Sequence, residues 1–342
     1  MPKALLQRCR LELQDVARLS LGHFPTPVRE LVRLRQYVGC SARLWIKNDD
    51  YAGPAFGGSK IRKLEYVLPR LLADGVNRVI TGGSIASNHA RITAVLCARL
   101  GLPCDLVLNR PIGQLHPTHS RVASLMVDEI VGARIHFVER PEDRVLEMNR
   151  LASQAALQGQ KPMVIPIGAS TALGALGLVG AAEEFAAQSA ALGLNVRAIV
   201  HATSSGGTQA GLIAGVNLYG PKDTGVIGIS ADAPAPDIIS IVQEILISID
   251  HFLGLHKTFE ASQIEVDDRF TGRGYAIPSD EANDTTKLLA RIEGIILDPV
   301  YTAKAMSGFL ELGRCGGFGK NDDLLFWHTG GQLALFQELC AD

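Results

Sequence analysis

The chain has 342 residues, 47% of them hydrophobic and 20% charged, with a formal net charge of -2. That balance suits a soluble globular protein long enough for two cores, and it argues against a disordered tail or a basic nucleic-acid platform. The expected partner is a small molecule.

In chain order, "MPKALLQRCRLELQDVARLSL" (1–21) predicts a short amphipathic helix and lacks the apolar run of a secretory signal, so a cytoplasmic location is expected. "RLWIK" (43–47) reads as a strand, and the turn-rich "DDYAGPAFGG" (49–58) breaks the chain after it. Ile61, Leu64, Leu68 and Leu71 recur at helical spacing just past Lys60, with Pro69 expected to bend that helix or open a second one. "RVITGG" (78–83) predicts a strand ending on glycines, and "ARITAVLCARLGL" (90–102) a helix stopped at Gly101. "CDLVLN", "RIHFV", "MVIPIG", "RAIVHATSS", "VIGIS" and "LLFWHTGG" are further strand-like runs, most followed by helical spacing. Strands alternating with helices predict an α/β protein with mostly parallel sheets. The breaks at 49–58 and at "PIGASTALGALG" (166–177) suggest a smaller middle lobe, with the larger lobe assembled from both chain ends.

The two longest charge-free runs, 162–182 and 198–221, are broken by Gly, Pro, Ser and Thr, so they read as buried strand–loop–helix units and no membrane partner is expected. The six cysteines (Cys9, Cys40, Cys97, Cys104, Cys315 and Cys340) form no C-x-x-C pair, which predicts reduced thiols and no metal site.

Five stretches could carry chemistry. In "GGSKIRKLEY" (57–66), Lys60 opens a helix, where the backbone's partial positive charge disfavours a second cation and lowers the amine's pKa. The alternative is a solvated lysine beside Arg62 and Lys63. In "TGGSIASNHAR" (81–91), Ser84, Ser87 and Asn88 either bind an anion at a helix start or simply cap it, and His89 is read as non-catalytic. In "HATSSGGTQAGLIAG" (201–215), hydroxyls and glycines precede a small-residue helix, as a phosphate cradle requires, but no P-loop lysine follows. "LDPVYTAKAMSG" (297–308) and "FWHTGG" (326–331) place polar groups at a helix start and a strand end. A lysine, a phosphate cradle without a P-loop lysine and polar strand ends together suit pyridoxal phosphate.

With these segments the chain resembles the D-cysteine desulfhydrase and 1-aminocyclopropane-1-carboxylate deaminase family, which has the two-lobe tryptophan-synthase-β type fold (fold type II). The likeness runs from "FPTP" (24–27) and "IKNDD" (46–50) to "HTGG". It implies a large domain of 1–55 and 172–342 around a small domain of 56–171, and a homodimer. It implies Lys60 as the Schiff-base lysine, Asn88 on the cofactor's phenolic oxygen, and Ser205, Gly206, Gly207 and Thr208 around its phosphate. Ser87 would approach the substrate carboxylate or assist proton transfer, and Tyr275 and Tyr301 match the family's two active-site tyrosines. Thr302, where true deaminases carry glutamate, would face the pyridine nitrogen and favours α,β-elimination over cyclopropane opening.

Two departures, Ser59 in "GGSK" for "GGNK" and Ala86 in "IASN" for "IQSN", are expected to enlarge the pocket and alter the substrate. The reading is a carbon–sulfur lyase of D-cysteine desulfhydrase type acting on a small amino acid. The rivals are the deaminase, a cysteate sulfo-lyase, a specialised member, and a cofactor-binding protein without turnover.

Overall fold

A computed structural model describes residues 11–109, 122–221, 223–277 and 279–337. The first part of the chain forms β1 (Val28–Glu30), α1 (Val32–Val38), β2 (Arg43–Asn48) and α2 (Lys60–Ala73). Next come β3 (Arg78–Ser84), α3 (Asn88–Arg99), β4 (Cys104–Asn109), α4 (Ala123–Ile130), β5 (Arg134–Val138), α5 (Asp143–Leu157) and β6 (Pro162–Val164). They are followed by α6 (Ala172–Leu192), β7 (Val196–Thr203), α7 (Gly207–Tyr219), β8 (Gly225–Ser230) and α8 (Ala235–Leu253). The last elements are β9 (Glu265–Asp267), α9 (Asp280–Glu293), α10 (Thr302–Cys315) and β10 (Asp323–His328).

The strands form two sheets, one of order β1-β2-β10-β7-β8-β9 and one of order β5-β4-β3-β6. Every pairing is parallel except β1 with β2. The expected α/β architecture is observed. β10 lies between β2 and β7 and is buried along its whole length, which is why "DLLFWH" reads as a continuous apolar run rather than an alternating one. The smaller sheet draws its strands from residues 78–164, the larger from residues 28–48 and 196–328.

One core packs α6, α7 and α8 on one face of the larger sheet, a second packs α10 and α9 on the other, and a third joins α2 and α3 to the smaller sheet. Gly177 lets α2 and α6 meet closely, since a Cβ there would lie 2.1 Å from the Arg62 carbonyl oxygen.

Some expectations are revised. Within 11–21 only a single helical turn, Leu13–Asp15, is present, and the rest of the expected first helix lies outside the described residues. α2 runs unbroken through Pro69. The carbonyl of Glu65, which the missing N–H of Pro69 would otherwise have bonded, accepts instead from Leu19 N at 2.9 Å. "MVIPIG" is a strand only to Val164 and then a short helical turn, Ile167–Ala169.

Cys40, Cys97, Cys104 and Cys315 are free thiols, and Cys9 and Cys340 lie outside the described residues. No helix among the described residues is long and apolar enough to cross a membrane. No cluster of three or more His, Cys, Asp or Glu suited to a metal ion occurs among them either.

Candidate active site

The chain reaches Lys60 through a turn in which Gly57 and Gly58 take positive φ and Gly58 N donates to Asp49 O at 2.8 Å. Ser59 N then donates to Thr329 O, fixing the start of α2 against the end of β10. One helical turn on, Arg62 is buried and donates to both oxygens of Asp49 and of Glu184 at 2.8–3.0 Å, with its guanidinium 4.1 Å from the Phe24 ring centre. That network clamps α2 between the turn and α6. Lys60 therefore sits on a rigid helix start, and its Nζ has no hydrogen-bond partner among the described residues. Burial lowers its pKa to about 8, and the Asp298 charge opposes the shift. The sequence argument had assigned that lowering to the helix end; burial is the larger cause.

Lys60 opens onto a cavity of about 280 Å³ between the two sheets, and the other strand ends supply its walls. From the β3–α3 junction come Ser84, Ser87 and Asn88. Ser87 is the N-cap of α3 and accepts from Ala90 N at 3.2 Å, so the capping reading holds, with its own hydroxyl proton left to donate. Arg91 donates to Asn88 Oδ1 at 2.8 Å; since arginine only donates, this fixes the amide and leaves Nδ2 as the donor. His89 is neutral, its pKa lowered to about 3 by burial and the two nearby lysines. Thr81 gives its single proton to Ile165 O, so the 2.8 Å contact to His89 Nε2 is donated by the ring.

The β7–α7 junction brings Ser205, Gly206 and Thr208 to the cavity. Gly206 takes φ +73°, Gly207 N donates to Ser205 O at 2.9 Å, and the next first-turn N–H groups of α7 have no acceptor within the helix. A Cβ on Gly207 would stand 2.7 Å from Ser170 Oγ and 2.8 Å from Lys63 Nζ. Gly207 lies behind this wall rather than on it. Lys63 is fully buried, donates to Gly168 O and Ser170 Oγ, and through Ser170 reaches Ser205 Oγ at 2.8 Å. Burial, reinforced by Lys60, holds its pKa well below the usual lysine value.

Tyr275 Oη and Tyr301 Oη are 2.6 Å apart, and Ser84 Oγ lies 3.1 Å from Tyr275 Oη. Burial raises both phenol pKa values, so both are neutral near pH 7 and able to donate. Thr302 is fully buried and is not among the residues lining the cavity. Its hydroxyl donates to Asp298 Oδ1 at 2.6 Å and accepts from Asp298 N at 2.9 Å, while Asp298 also accepts from the N–H groups of Val300, Tyr301 and Thr302. Neither Ser59 nor Ala86 lines the cavity, so these departures do not enlarge it directly.

A family profile described as pyridoxal-phosphate dependent enzyme matches residues 19–330. The chain belongs to that family. A crystal structure described as an ACC deaminase homologue is 30% identical, with TM-score 0.84, covering 96% of this chain and 97% of that one. This agrees with the family likeness carried by the motifs. A pyridoxal 5'-phosphate-dependent aspartate racemase, 16% identical with TM-score 0.64 and 90% of each chain covered, shares the fold.

The protein is thus an enzyme of fold type II whose cofactor is pyridoxal phosphate, and the site fits that group. The Gly206–Gly207 backbone leaves no room for side chains, a buried amine stands behind it, and Thr203 Oγ1, on the cavity wall, is buried without a partner among the described residues. Sequence reading missed Lys63, Asp298, Arg144 and Asp232. A signal existed for Lys63, one helical turn from Lys60 on the same face, and for Asp298, inside the "DPVY" motif. Arg144 in "PEDRVLEMNR" reads only as part of a solvated helix.

Proposed function

We propose that the protein catalyses α,β-elimination from a β-substituted amino acid, in the manner of a D-cysteine desulfhydrase. The products are a 2-keto acid (pyruvate), ammonia and the leaving group; from cysteine and one water these are pyruvate, ammonia and hydrogen sulfide. The observation that carries this reading is the Lys60 amine, without a hydrogen-bond partner among the described residues and with a pKa lowered to about 8, lining the same cavity as two neutral phenols. When bound, pyridoxal phosphate supplies an aldehyde for the amino group and a ring that takes up the electron pair left at Cα.

In this reading Lys60 Nζ takes the Cα proton. Tyr301 Oη, backed by Tyr275 Oη, gives a proton to the departing sulfur, and the Ser87 hydroxyl meets the substrate carboxylate. With the cofactor bound, Asn88 Nδ2 would donate to its phenolic oxygen and Ser205, Gly206 and Thr208, with Gly207 behind them, would hold its phosphate, while Thr302, whose hydroxyl proton goes to Asp298 Oδ1, would have to turn from Asp298 to meet the ring nitrogen. An uncharged hydroxyl there supports elimination over ring opening, since a carboxylate would hold the ring protonated and better able to stabilise a full carbanion. We also propose the domain limits 1–55 with 172–342 and 56–171, a cytoplasmic location, and a homodimer, which light scattering of the pure protein checks.

A second reading, deamination of 1-aminocyclopropane-1-carboxylate, is favoured by the likeness to the ACC deaminase homologue. A panel of D- and L-cysteine, cysteate, β-chloroalanine and the cyclopropane acid, scored for keto acid, separates the two. Turnover of the cyclopropane acid without turnover of any β-substituted substrate would falsify the elimination reading.

A further inference from the structure

Arg144 stands in the first turn of α5 and lines the cavity together with Pro141. Its Nε donates to Pro141 O at 2.7 Å, which holds the guanidinium at that wall. Nη1 and Nη2 have no acceptor among the described residues. The neighbouring acids are otherwise placed: Asp143 pairs with Arg140 at 2.8 Å, and Glu142 is exposed beside Arg140. The first-turn N–H groups of α5 add partial positive charge on the same side. Burial lowers the Arg144 pKa against the pull of Tyr275, Tyr301, Glu142 and Asp232, yet an arginine stays charged.

None of the other described groups on this wall forms an ion pair with it. Tyr275 and Tyr301 are neutral. Asp232 shares the cavity, but it makes no ion pair with Arg144, accepts from Ser204 Oγ at 2.8 Å, and has its pKa raised by burial. A substrate with an uncharged β-substituent would leave the guanidinium partly desolvated and without a direct ion-pair partner, an unfavourable arrangement.

We propose that Arg144 is a specificity-determining residue that recognises a negatively charged group on the β-carbon side of the substrate, a sulfonate or a carboxylate. Both anions match the two-pronged donor face of Nη1 and Nη2. The proposal rests on the elimination reading for its chemistry. With a sulfonate, the Cα–H and Cβ–S bonds break, the electron pair of the Cβ–S bond leaves with sulfur as sulfite, and cysteate plus water gives pyruvate, ammonia and sulfite.

The test titrates the visible absorption band of the holoenzyme with both enantiomers of alanine, aspartate and cysteate, so that binding is read apart from turnover. The expected result is at least tenfold tighter apparent binding of an anionic ligand than of alanine, and loss of that preference in Arg144→Gln with partial recovery in Arg144→Lys. Aspartate against cysteate tells a carboxylate from a sulfonate site. Equal affinities in the wild type, or a preference that survives Arg144→Gln while the cofactor band is retained, overturn the proposal. Tight cysteate binding without keto acid release sinks the elimination reading but supports the role of Arg144.

Discussion

Burial strips water from the Lys60 amine and sets its pKa at about 8, while Asp298 pulls the other way. The neutral amine is the nucleophile, so cofactor loading has a predictable pH profile. Its rate should rise about fivefold from pH 7 to 8 and by less than about twofold from pH 8 to 9, whereas an ordinary lysine gains about tenfold per unit throughout. Stopped-flow absorbance of cofactor-free protein mixed with pyridoxal phosphate measures it, and a constant tenfold rise would refute the lowered value. The linked stability has the same sign. The unfolded chain binds the Lys60 proton more tightly, so the gap between cofactor-free wild type and a Lys60→Met variant should narrow as pH rises from about 8 towards 10.5.

The phenol pair makes a different prediction at this scale. Tyr301→Phe should slow keto acid release from cysteine by at least about tenfold and from β-chloroalanine far less, because chloride leaves without a proton. Equal losses on both substrates would remove Tyr301 from proton delivery. Lys60, Ser87 and Asn88 were legible because they sit in short polar motifs at element ends, whereas Tyr275 and Tyr301 were picked out only by the family likeness. Arg144 and Asp232 were not, since proximity across two sheets leaves no spacing to read.

At the scale of elements, α2 is held by charge as much as by packing. Arg62 is almost fully buried and shares Glu184 and Thr26 with Lys47, while Asp49, its other partner, also accepts from Trp327 Nε1 at 2.9 Å. Removing one partner from such a network leaves buried charge uncompensated, and Arg62→Leu should lower unfolding stability by about 3–5 kcal/mol. Urea titration of the cofactor-free variant checks this; a change below about 1 kcal/mol would mean the network is solvated. On α7, Gly207→Ala would push a methyl into Ser170 and Lys63. The expected outcome is weaker cofactor binding, by tenfold or more in apparent Kd, measured by equilibrium dialysis. The start of α2 was visible in the spacing of Ile61, Leu64, Leu68 and Leu71. The tolerance of Pro69 was not, because it depends on Leu19, far away in sequence.

For the whole molecule, alternation of strands and helices was enough to read two mostly parallel sheets. The short strands β1 and β9, three residues each, escaped because their pairing comes from longer neighbours rather than their own pattern. The insertion of β10 between β2 and β7 also lay beyond a linear reading, since strand order is a property of closure.

Lys63 carries a consequence for the life of the protein. Burial holds this amine well below its usual pKa, its acceptors among the described residues are the uncharged Gly168 and Ser170 oxygens, and a bound phosphate would favour its charged form. Pyridoxal phosphate should therefore raise the melting midpoint, by about 2.7 kcal/mol of stabilisation at one hundred times its Kd, and pyridoxal lacking the phosphate should raise it far less at equal concentration. Equal protection by the two would show that Lys63 takes no part. Where the phosphate does protect, the fraction of chains that resists proteolysis should rise with cofactor concentration, which limited proteolysis at graded pyridoxal phosphate would show.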